Sequence, residues 1–143
     1  MKKIGVSVFS VIALSVAVFA WSFCGTHQSL TTSRVDQRFN LTAKAPYGII
    51  WGIGSAYALL LGEINGTATV EIIGNQKRDR VEFTVGPGSV EIARGGPEEW
   101  IGDYSIRYTP LTATSGSIYA SVYCGEGMSE ADRTLYHEIL GRK

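Results

Sequence analysis

Apolar and polar positions divide this chain into two regimes. From Ile4 to Ala20 no ionisable residue occurs, and Trp21, Ser22 and Phe23 extend that run behind Lys2 and Lys3. Further on the pattern shortens to a period of two. Val81, Phe83 and Val85 alternate with Glu82 and Thr84, Val90 and Ile92 flank Glu91, and Tyr104, Ile106 and Tyr108 share one parity. Ile118, Ala120, Val122 and Cys124 alternate with Tyr119, Ser121 and Tyr123. Successive side chains of a strand point to opposite faces, so these stretches predict half-buried strands. Asn65-Gly66 sits between the runs Leu61–Ile64 and Thr67–Ile72. It predicts a two-residue hairpin turn, whose central residues both need positive φ. Gly86-Pro87-Gly88-Ser89 and Gly95-Gly96-Pro97 punctuate the later strands.

Other segments read differently. Gly25 to Lys44 is polar with little periodicity, as in a tether or an early edge strand. Ile49 to Leu61 is apolar but broken by Gly52 and Gly54, each a cost of about 1 kcal/mol to a helix. Ser55 could cap a short helix over Ala56–Leu61 that stops at Gly62; the same residues could form a buried strand. Ser129 to Leu140 predicts a helix, with Ser129 as N-cap and Asp132 three residues on completing an acidic capping box. The resulting expectation is a mainly β fold. About six strands form an antiparallel sheet or a small sandwich, after an N-terminal apolar helix and before a short C-terminal helix. Residues 1–23 are the leader, 24–45 a tether and 46–143 the β-rich domain.

The leader fits two roles. A secretory signal needs a basic start, an apolar core and small residues before the cut, and Val18-Phe19-Ala20 supplies them, with Ser15-Val16-Ala17 as a second option. A retained transmembrane helix needs about 20 apolar residues, which Ile4 to Phe23 provides, making residues 4–23 a membrane contact. Either role puts the domain outside the cytoplasm, secreted, periplasmic or membrane-anchored. Trp21-Ser22-Phe23 lacks the small residue that precedes a lipidated cysteine, so lipidation of Cys24 is not expected.

Composition narrows the function classes. Of 13 Lys and Arg residues two lie in the leader, leaving 11 against 13 Asp and Glu. That balance gives no basis for nucleic-acid binding. The two cysteines, Cys24 and Cys124, would pair in an oxidising compartment. A bridge between them closes a loop of about 100 residues and contributes up to ~4–5 kcal/mol on the chain-entropy model.

Catalytic signals are sparse. His27 and His137 are the side chains able to act as bases near neutral pH. No serine lies in a nucleophile-elbow context. Two distant histidines and two paired cysteines make no metal set, and no cofactor motif occurs. Glu98, Glu99 and Asp103 read as a solvated loop beside Gly-Pro. Asn40-Leu41-Thr42 and Asn65-Gly66-Thr67 match the N-glycosylation pattern. The candidate binding residues are Tyr119 and Tyr123, opposite the core face of their strand, with Arg107 on a neighbouring strand. Tyr and Arg are enriched at interfaces. The competing reading pairs these tyrosines with other aromatics across strands or covers them with the C-terminal helix.

Leu61-Gly62-Glu63-Ile64, Val85-Gly86-Pro87-Gly88, Val90-Glu91-Ile92-Ala93 and Trp100 resemble the small membrane-anchored domain of cytochrome oxidase assembly factors. The resemblance spans about fifty residues of β pattern, carries no catalytic motif and implies one transmembrane helix ahead of the domain. The function expected is a non-enzymatic, exported or membrane-tethered β-rich domain that contacts an envelope protein or glycan. An assembly factor for a membrane complex and a small extracytoplasmic hydrolase are the alternatives.

Overall fold

The computed structural model describes residues 26–45, 55–74, 80–96, 103–125 and 128–142. Eight strands and one helix follow in order: β1 (Thr26–Thr32), β2 (Phe39–Ala43), β3 (Ala56–Ile64), β4 (Ala68–Ile73), β5 (Arg80–Val85), β6 (Gly88–Gly96), β7 (Tyr104–Pro110), β8 (Gly116–Cys124) and α1 (Glu130–Gly141). They form two antiparallel four-stranded sheets, β1-β8-β3-β6 and β2-β7-β4-β5. The fold is mainly β and takes the two-sheet alternative. The described residues hold eight strands rather than about six, because the polar stretch 26–45 contributes two. β1 pairs with β8 from Thr26↔Cys124 to Thr32↔Ile118, and β2 pairs with β7.

The core lies between the sheets. Ala56, Ala58, Leu60 and Ile64 of β3 and Ile118, Ala120 and Val122 of β8 meet Val70, Ile72, Ile106 and Tyr108 of the second sheet. Tyr108 is fully buried; its hydroxyl donates to Val35 O at 2.9 Å and its ring stacks on Phe39. The outer face of the first sheet is also buried. There Leu59, Ala93 and Tyr123 pack under Tyr136 and Ile139 of α1, with Tyr57, Leu61, Tyr119 and Leu135 alongside. The outer face of the second sheet is charged: Glu71 pairs with Arg80 and, across β7, with Arg107 at 3.0 Å.

Several sequence expectations are corrected. Ala56–Leu61 is strand, not helix. β3 buries Ala56, Ala58 and Leu60 on one face and Leu59 on the other, so its apolar residues run together without alternation. Asn65-Gly66 is not a hairpin turn. β3 already pairs with β6 on one side and β8 on the other, so the chain after Ile64 crosses to the other sheet. Among the described strands, the β4–β5 link alone joins two consecutive strands of one sheet. Gly86-Pro87, a cis peptide, lies at another crossing, between β5 and β6.

These crossings interlock. Asn65 Oδ1 accepts from the Thr114 and Ser115 amides, each at 2.9 Å. Thr67 O accepts from the amides of Leu111, Thr112 and Ala113. A Cβ on Gly66 would lie 2.4 Å from Thr112 O, and one on Gly86, at φ +78°, would lie 2.2 Å from Gly66 O. Only glycine lets three backbone corners approach so closely.

The expected transmembrane helix is also corrected. No helix among the described residues is long and apolar enough to cross a membrane. α1 has 12 residues and rises about 18 Å, against a hydrocarbon core of about 30 Å. Residues 1–23, where the leader is expected, lie outside the described residues.

Val122 is fully buried in the intersheet core, whereas Leu111 is 60% exposed. Val122→Ala should cost on the order of 2 kcal/mol through a core cavity, and Leu111→Ser less than about 0.5 kcal/mol. Gly66→Ala should destabilise more than Leu111→Ser because its methyl meets backbone. Urea unfolding of the three variants checks this order.

Candidate functional site

Helix α1 starts where the sequence predicts. Ser129 caps it, its hydroxyl accepting from the Asp132 amide at 3.1 Å. The Asp132 carboxylate turns toward β8. Asp132 is 4% exposed and collects three hydroxyl donors from one face of that strand. Tyr119 OH lies 2.9 and 3.0 Å from its two oxygens, Ser121 Oγ donates to Oδ2 at 3.0 Å and Tyr123 OH donates to Oδ2 at 2.5 Å. A buried carboxylate is tolerated when hydrogen bonds replace its water. The period-two alternation of β8 places Tyr119, Ser121 and Tyr123 side by side for that purpose.

His27 joins this cluster from β1. Register sets it opposite Tyr123, on whose ring it stacks at 4.1 Å, and its Nε2 lies 3.2 Å from Ser121 Oγ. The set His27, Ser121, Asp132 has the residue types of a hydrolase triad in the wrong order. A triad places histidine between the nucleophile and the carboxylate. Here the serine is in the middle and its proton goes to Asp132. Nε2 of His27 must then carry the hydrogen in its contact with Ser121, and cannot accept that serine's proton. Ser121 is moreover fully buried.

The expected tyrosine strip is not an open surface. Tyr123 is 2% exposed and Tyr119 is half-buried, both under α1. Arg107 lies in the other sheet, paired with Glu71. Tyr119 and Tyr123 are thus brought together on Asp132, and Arg107 is not brought to them. Asp103 forms an ion pair with Lys44 at 2.6 Å, and that hydrogen bond holds its carboxyl below the usual range against the opposing effect of burial. Glu98 and Glu99 lie outside the described residues. So does Cys24; its expected partner Cys124 is buried at the end of β8, opposite Thr26.

A cavity of about 330 Å³ opens beside the cluster. Ser55, Tyr57, Gly125, Met128, Arg133, Tyr136 and His137 line it. Tyr136 is fixed by donating its hydroxyl to Gly95 O at 2.6 Å, and Tyr57 meets it edge-to-face at 5.1 Å. Ser55 donates to Gly125 O at 3.1 Å. Arg133 and His137 are both exposed, one helical turn apart. Of the lining residues, His137 was singled out in the sequence. The spacing of Arg133 and His137 on a capped helix was available as a signal; Ser55 and Tyr57 were hidden by the helical reading of β3. Among the described residues, no group of three or more His, Cys, Asp or Glu could hold a metal ion.

Asp132→Ala should leave three hydroxyls without their acceptor and cost about 3 kcal/mol or more. A denaturant titration checks this. Burial, reinforced by the hydrogen bond to Asp132 and its charge, pushes the Tyr119 hydroxyl up to about 12. The unfolded chain releases that proton near about 10. The stabilisation is therefore complete below pH ~10 and is lost as pH rises toward ~12. Melts between these limits should fall less steeply for Tyr119→Phe than for the wild type.

No protein-family model and no curated protein matches this chain.

Proposed function

We propose that this chain is an exported β-sandwich domain that binds a protein or glycan at the cell envelope, without catalysis, through the cavity beside α1. The carrying observation is that cavity's lining: aromatic rings, a serine and two basic side chains held by β3, β8 and α1. Ligand sites are typically concave and largely preformed, with few polar groups fixing orientation. The buried, misordered His27–Ser121–Asp132 set argues against the hydrolase alternative. Export is supported by Lys2, Lys3 and the apolar run behind them.

His137→Trp places a large ring at the cavity from an exposed position. On an array of envelope glycans and peptides, the full chain should retain a ligand that His137→Trp loses. Ester-hydrolysis assays of the wild type and Ser121→Ala should both stay at background. Binding unaffected by the tryptophan, or hydrolysis abolished by Ser121→Ala, would overturn the reading.

A Cys24–Cys124 disulfide belongs to the same proposal. Thr26, two residues after Cys24, pairs directly with Cys124. Intact mass of exported protein after alkylation without reductant should show no added label. Labelling of both cysteines would remove the bridge.

A further inference from the structure

We infer that the cavity beside α1 recognises a sugar acid: a hydroxylated ring that carries a carboxylate. This inference rests on the reading of that cavity as the contact site. Its first support is charge. Lys44, Arg80, Arg107 and Arg142 each sit against a carboxylate, and Arg94 lies over the ring of Phe83. Arg34, Arg38 and Arg133 have no such partner among the described residues, and of these three Arg133 lines the cavity. No acidic residue is among the described residues of that lining, and His137 adds a second nitrogen-bearing group one turn along the helix. A guanidinium presents a planar fork of donors that matches a carboxylate in two parallel hydrogen bonds.

The second support is the rest of the wall. Ser55 uses its proton on Gly125 O, which leaves its oxygen as an acceptor. The Tyr57 hydroxyl makes no hydrogen bond among the described residues and can both donate and accept. Hydroxyls that share this lining with Arg133 suit a ligand that is itself rich in hydroxyls. An apolar peptide side chain would leave them unsatisfied. The rings of Tyr57 and Tyr136 offer apolar surface to the C–H face of a sugar, and a volume of about 330 Å³ lies at the small end for ligand sites. A peptide ending in a free carboxylate shares the Arg133 chemistry but not the need for the hydroxyls.

The test uses the full chain and three probes: trigalacturonate, its fully methyl-esterified form and a short apolar peptide with a free C-terminal carboxylate. Calorimetry should show trigalacturonate binding at least about tenfold tighter than the ester or the peptide. Arg133→Gln should weaken that binding about tenfold or more, the scale of one charge-assisted pair. His137→Gln should weaken it as well, and both variants should melt as the wild type does. Equal binding of acid and ester, unaltered affinity in both variants, preference for the peptide, or no binding of trigalacturonate would each overturn the inference. If trigalacturonate fails while the array ligand is still lost in His137→Trp, the sugar-acid class falls and the cavity remains the contact site. If the array ligand also survives that substitution, both fall together.

Discussion

The outer half of this molecule depends on the burial of one carboxylate. Asp132 sits under α1 with 4% of its surface exposed. An unsolvated carboxylate costs several kcal/mol unless donors surround it. The donors come from a single strand face, Tyr119, Ser121 and Tyr123, and they fix both the depth and the rotation of the helix. With Asp132 seated, Tyr136 reaches Gly95 O, and the cavity acquires its wall of Arg133 and His137. Arg142 then meets Glu91 of β6 at the far end of the helix, at 3.3 Å. Apolar packing supplies the area of this contact; the carboxylate selects one register for it.

β8 carries both halves of the architecture, which bears on how far the sequence could be read. Its alternation was legible, and it correctly assigned Ile118, Ala120, Val122 and Cys124 to the core. It could not say whether the opposite face met solvent or a helix. Tyrosine and serine suit both, and the answer lies in Asp132, three residues past a cap. β3 was harder for the opposite reason. Buried on both faces, it has no alternation, and its continuous apolar run resembles a helix segment. Asn65-Gly66 misled because turn chemistry is local, while the choice between hairpin and crossing is made by which strand edges are already paired. β1 was hard to read because it is an edge strand with a polar sequence; β2, also an edge strand, alternates Phe39, Leu41 and Ala43 with Asn40 and Thr42, a pattern of only five residues inside a polar stretch.

The site was less legible than the fold. Its residues come from the start of β3, the end of β8 and one face of α1, and no sequence window contains them together. His27 was placed in a tether and proves to be a strand residue stacked on Tyr123. The hydrolase alternative turned on whether a histidine met a serine and a carboxylate. The meeting occurs, and the direction of the Ser121 hydrogen bond decides its meaning. Residue types in proximity specify chemistry only with donor and acceptor order.

Position along β3 separates the interlocked corners from the cavity. Its nine residues run from Ala56, beside the cavity, to Ile64, beside the interlocked corners, a span of about 30 Å. At the Ile64 end, Asn65, Gly66, Gly86 and Thr112 tie three sheet crossings into one cluster that admits no side chain at Gly66 or Gly86. β8 runs the other way, from Gly116 at the corners to Cys124 beside the cavity. Both strands that frame the cavity are thus anchored at their far ends by backbone contacts. Their near ends are left to Ser55, Gly125 and the first turns of α1. A cavity at that end can vary its side chains with little consequence for the crossings that hold the two sheets together.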